Sequence, residues 1–181
     1  MDYRALEKNL IDAVREGQLK LGASETPVSL YYPADSLNRL LGTQLSLEEL
    51  GPALAGFCSH CRETLGNVGI SAAGDRYCIT VPLQGVRYVQ NLPEESGFLR
   101  ELIELLRNPH APVEIDDVLR LFWKYSDQVC CIEADEDEFN YLVYFADGHP
   151  DDYRYLFELR GGHASYHRLT PGDWEALGIT L

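Results

Sequence analysis

The chain has 181 residues and sets 15 Lys and Arg against 29 Asp and Glu, a formal charge of −14. The imbalance is local: residues 1–92 hold 8 basic and 10 acidic side chains, net −2, whereas residues 93–181 hold 7 and 19, net −12. The second half is thereby excluded from binding polyanions, which rests on neutralising phosphates with Lys and Arg. No run approaches the roughly 18 apolar residues of a membrane span, and the start M-D-Y-R-A-L-E-K lacks the basic-then-apolar order of a signal peptide. Five cysteines, an odd number without a secretory signal, point to reduced thiols. The expectation is a soluble cytoplasmic protein of one domain or two small ones.

In chain order, Leu6, Leu10, Ala13, Val14 and Leu21 make one apolar stripe at helical spacing, with Asp2 as cap and Gly22 as stop. T-P-V-S-L-Y-Y-P, bracketed by Pro27 and Pro33, reads as a short edge strand. A second helix runs from Asp35 to Leu41. Ser46 then opens S-L-E-E, a capping box with Glu49, ahead of Leu47, Leu50, Leu54, Phe57, Cys58, Cys61 and Leu65 in steps of three and four. Gly51-Pro52 is expected to interrupt this helix and restart it at Pro52. V-G-I-S-A and Y-C-I-T-V-P form a hairpin around Gly74-Asp75, and G-V-R-Y-V reads as a further extended run. Helix, strand, helix, helix, hairpin is the layout of a winged helix, with the third helix as reading element and the hairpin as wing.

Beyond Pro93, Phe98, Leu99, Leu102, Ile103, Leu105 and Leu106 give a broad apolar face on a helix from Pro93 to Arg107, broken by N-P-H-A-P. Val113 to Tyr125 is the next helix, with Ile115, Val118, Leu119, Phe122 and Trp123 inward. From Gln128 to Leu169 β-branched and aromatic runs alternate with Gly, Pro and acidic gaps, the pattern of a four-stranded antiparallel meander. Phe139, Tyr141, Val143 and Phe145 share its core face with Tyr153, Tyr155, Phe157 and Leu159. A terminal turn of helix lays Trp174 and Leu177 over one end of the sheet.

F-C-S-H-C-R-E-T-L-G, Y-C-I-T-V-P-L-Q-G-V-R-Y-V, L-F-W-K-Y-S-D-Q-V and Y-L-V-Y-F together resemble a family of uncharacterised proteins from anaerobic gut Firmicutes, known only as a domain of unknown function. The resemblance covers nearly the whole chain. It implies a bacterial cytosolic protein and carries no catalytic residue with it.

The chemistry-bearing residues favour bland readings. In C-S-H-C, Cys58 and Cys61 lie inside a helix beside its apolar stripe, not at a helix start that would lower a thiol pKa, and no second close pair supplies zinc ligands. Cys130 and Cys131 are adjacent on a strand, so they point to opposite faces. Asp135, Glu136, Asp137 and Glu138 form one acidic turn, and Asp147, Asp151 and Asp152 another, about 20 Å away at the opposite end of the sheet. Both read as solvated turns. His163 and His167 share a strand face about 13 Å apart, too far to hold one metal. No glycine-rich phosphate loop, G-x-S-x-G or H-E-x-x-H is present. The second sheet face is mixed, and Tyr144, Arg154 and Leu156 with His163 and His167 make a candidate interaction surface.

The sequence thus implies an α+β protein: a winged-helix-like half over 1–92, then two helices packed on a four-stranded antiparallel meander over 93–181. The expected function is a non-catalytic protein-interaction or regulatory module that meets a basic partner or a second copy of itself, without cofactor or metal. A DNA-binding regulator reading through Pro52 to Gly66, with only His60 and Arg62 as donors, is the first alternative. An enzyme with an unmarked pocket is the second.

Overall fold

Leu6, Leu10 and Val14 recur every four residues, and these three are what the first helix, α1 (Tyr3–Leu21), buries. The Asp2 carboxylate caps it, accepting from the N–H groups of Arg4 and Ala5 at 3.1 Å each. The computed structural model describes residues 1–23, 25–107, 112–134 and 138–178. They fall into two units, Met1–Pro93 and Glu94–Leu181. Together the described residues form seven helices and two antiparallel sheets, an α+β fold.

In the first unit, α1 is followed by β1 (Val28–Pro33), α2 (Ala34–Leu41), α3 (Leu47–His60), β2 (Gly69–Ala73), β3 (Arg76–Val81) and α4 (Leu83–Asn91). The sheet order is β1-β3-β2, so the hairpin partner β3 lies in the middle and Ile79 faces both Leu30 and Ile70. Asn38 ties α2 to the loop that leads into α3: its side-chain oxygen accepts from Leu45 N–H and the Thr43 hydroxyl, while its amide donates to Leu45 C=O. Leu37, Leu41, Leu50, Leu54, Phe57, Leu65, Ile79, Val81 and Val86 close the core with the α1 stripe.

Two expectations change here. Gly51-Pro52 does not divide α3, which is continuous with Pro52 inside it. Glu48 is solvent-exposed, so the carbonyl that Pro52 leaves without an N–H donor has water to bond. The run G-V-R-Y-V is not extended but forms most of α4. Its buried residues, Gly85, Val86 and Val89, repeat at helical spacing, and tertiary packing outweighs the β preference of valine and tyrosine.

The capping box on α3 is present, with Ser46 Oγ accepting from Glu49 N–H and Glu49 accepting from Ser46 N–H and hydroxyl. Those bonds hold the Glu49 carboxyl below its ordinary value. A depressed folded pKa adds stability above the unfolded value, and that stability is lost as pH falls through the folded one. Ser46→Ala is expected to lower stability by about 1 kcal/mol in neutral urea denaturation, with the difference shrinking as acid protonates Glu49.

The second unit comprises α5 (Phe98–Leu106), α6 (Ile115–Tyr125), β4 (Val129–Glu133), β5 (Tyr141–Phe145), β6 (Arg154–Arg160), β7 (His163–Leu169) and α7 (Pro171–Leu177). Both helices start with the first residue of their apolar sets, later than the expected Pro93 and Val113. The sheet order β4-β5-β6-β7 is the meander. Gly161 and Gly162 both take positive φ, 60° and 81°, as the two-residue turn between β6 and β7 requires. One sheet face carries Val143, Phe145, Tyr155 and Phe157 against Phe98 and Phe122, with ring centroids of 4.8 Å for Phe98–Phe122 and 4.7 Å for Phe122–Phe145.

Three side chains depart from expectation. Trp123 is 58% exposed, because it lies about 100° round the helix from Phe122. Phe139 precedes β5 and packs on the other sheet face with Leu142, Leu156 and Ala134. Trp174 does reach that cluster, but Leu177 is 54% exposed and covers nothing there. The turn residues Asp135, Glu136 and Asp137 lie outside the described residues.

Candidate functional site

The second face of the meander is built by strand register. Cys130 stands opposite Tyr144, Leu142 opposite Leu156, and Leu156 opposite His167. Leu156 is only 6% exposed, in a cluster with Phe139 and Leu142 against which Trp174 packs, so it is withdrawn from the expected interaction surface. The terminal helix supplies this cover, which strand alternation alone does not reveal. Beside it, Arg154 stacks 4.0 Å over the Tyr144 ring, and the Tyr144 hydroxyl is hydrogen-bonded to Cys130. His167 is exposed on the same face. His163 lies at the far end of β7, 3.9 Å from Glu158. Register therefore groups Tyr144, Arg154, Leu156 and His167, and leaves His163 at the distal turn.

The reading-helix residues sit at the end of α3. His60 Nε2 lies 3.1 Å from a Glu7 oxygen, Thr64 donates to the other Glu7 oxygen, and the imidazole stacks near Phe57. His60 is thus tied to α1. Arg62 follows the helix and is exposed. Helix α3 itself contains no Lys or Arg, and its first turn presents Glu48 and Glu49.

Cys58 donates to Val68 C=O at 3.4 Å, and Cys61 is fully buried. Burial pushes both thiols up, Cys61 to about 11, so neither is an activated thiolate. Cys131 alone among the five is exposed. Native alkylation is expected to label Cys131 first and Cys61 and Cys78 only after unfolding, as read by mass spectrometry of the labelled peptides; early labelling of Cys61 would contradict this burial. Among the described residues, no three His, Cys, Asp or Glu side chains are placed to hold a metal ion.

Two further groupings escape sequence reading. Asp151, expected as a solvated turn residue, instead accepts from the Tyr155 hydroxyl at 2.7 Å and from Tyr153 N–H at 3.2 Å. Burial pushes its carboxyl up, and these bonds together with Arg168 partly offset that. Arg168 in turn stacks 4.1 Å over the Tyr153 ring. The second grouping is an open groove of about 550 Å³ between α5 and α6, floored by Leu105 and Leu121. Its charges are largely spent on each other: Lys124 bonds both oxygens of Glu101 at 2.7 Å, and Arg120 pairs with Asp117 at 3.0 Å. Only long-range proximity creates these groups, although the helical angle of Trp123 was available from its spacing to Phe122.

No helix among the described residues is long and apolar enough to cross a membrane. No curated protein and no solved structure matches the chain. One family does, over residues 3–178: DUF3877, a domain of unknown function described from an E. rectale gene. With nearly its whole length matched, the chain belongs to that family, whose function is not assigned.

Proposed function

We propose that the chain is a non-catalytic cytosolic protein-interaction module whose acidic second unit receives a basic partner. The observation that carries this reading is Trp123, 58% exposed on a unit whose half of the chain bears −12. A large aromatic held in water on an acidic half of the chain suits contact with a segment that combines apolar and cationic side chains. A second copy suits it less, since two chains at −14 repel. The test is an array of cationic, neutral and anionic peptides probed with the full chain. Retention on cationic peptides that fades with salt is expected; retention on none, or on the anionic set, overturns the proposal.

The element and sheet order of the first unit supports a second reading. Helix, strand, helix, helix and hairpin, with sheet order β1-β3-β2, suit a winged-helix-like domain, and we treat the two units as separate domains. Used on DNA, its reading helix would be α3, which brings carboxylates and no guanidinium or ammonium to the phosphates. A gel shift of duplex DNA by the full chain at low salt would favour this reading over the first.

A further inference from the structure

We infer that the outer edge of β4 is a strand-addition site for a basic, extended segment of a partner protein, with Trp123 as its aromatic anchor. The inference rests on the basic-partner reading and locates it. The backbone bonds Ala134 N–H to Asn140 C=O and Ala146 N–H to Gln128 C=O, together with the β4–β5 register, fix which way each β4 residue points. The even-numbered residues bond inward to β5. Val129, Cys131 and Glu133 therefore aim their N–H and C=O groups away from the sheet. Among the described residues, no strand pairs with that side and no hydrogen bond occupies those groups. The other end strand, β7, packs against α7. An open edge with three donor–acceptor pairs is what an added strand requires.

Trp123 stands on the matching side. Helix α6 packs on β4 and β5, and its Phe122 reaches on to Tyr155 and Phe157 of β6, where Phe98 of α5 also meets Tyr155. The α6 flank toward α5 carries Asp117, Leu121 and Lys124. Trp123 is on the opposite flank, the one turned away from that groove. Asp116, Asp127 and Glu133 are exposed, and none forms an ion pair among the described residues. Such carboxylates deter another acidic copy of this chain and favour a strand carrying Lys or Arg.

The test uses the full chain and a ten-residue peptide alternating lysine and valine. Its controls are a glutamate–valine counterpart and a lysine–valine peptide N-methylated at every amide, which keeps charge but loses the donors of both edges. The first peptide is expected to bind and to slow hydrogen exchange at Val129, Cys131 and Glu133. Trp123→Ala, and Cys131→Pro, which removes one outward N–H, should each weaken binding about tenfold. Equal binding of the methylated peptide, or protection away from β4, overturns strand addition while leaving the basic-partner reading intact. Absence of binding by any cationic peptide overturns that reading and this inference with it. Protection of β4 without peptide, together with a dimer in light scattering, makes a second copy the occupant and overturns the inference.

Discussion

Phe122→Ala is expected to cost about 3–5 kcal/mol of stability. The ring is fully buried and meets four others: Phe145 at 4.7 Å, Phe98 at 4.8 Å, Tyr155 at 5.5 Å and Phe157 at 6.2 Å. Removing it takes away the transfer energy of the side chain and leaves a cavity that four rigid rings cannot collapse into. Its neighbour supplies the control. Trp123→Ala deletes a larger side chain, yet one that is mostly in water, and should change stability by no more than about 0.5 kcal/mol. Urea denaturation of both variants checks the pair; similar losses for the two would mean that α6 is rotated from the orientation described.

Gly85→Ala is expected to destabilise the first unit by about 1–3 kcal/mol, although alanine is the better helix former by nearly 1 kcal/mol. A Cβ at position 85 would stand 2.4 Å from the Leu65 carbonyl oxygen and 2.7 Å from Val81 Cγ1. The first of these is backbone, so α4 has to move off the core to admit it. Gly17 in α1 has nothing within 4 Å of the same atom, and Gly17→Ala should stabilise by roughly the propensity difference. Opposite signs in thermal unfolding are the expected result, and a neutral or stabilising Gly85→Ala would contradict the packing of α4 on the Leu65 turn.

Where side-chain alternation and burial coincide, the sequence is a sufficient guide. The meander follows from runs such as Y-L-V-Y-F set between turn residues, and α1 from a stripe that nothing interrupts. Reading fails where local chemistry and tertiary context disagree. Pro52 argues for a break, but near the start of α3 the lost hydrogen bond falls to solvent. G-V-R-Y-V has strand-forming residues, yet it folds as a helix that sets Gly85 against the Leu65 carbonyl. Phe139 continues the alternation of β5 by counting, but the chain enters that strand only at Tyr141, so the face reverses. The candidate surface suffers in the same way: Leu156 counts as outward-facing, and only the placement of Trp174 reveals that it is covered. Asp151 with Tyr155 and Arg168, or Glu7 with His60 and Thr64, join residues from separate segments and have no signature to read.

The charge distribution was legible throughout, and it favours a cationic peptide over a nucleic-acid duplex as the partner. Titrating the full chain against a labelled lysine-rich peptide and a labelled random duplex, from low to high salt in one anisotropy assay, tests the central claim most directly. The account predicts that the peptide binds at low salt and is released as salt rises, with no binding of the duplex at any concentration. Binding of the duplex, with affinity falling steeply in salt while the peptide stays free, would contradict it.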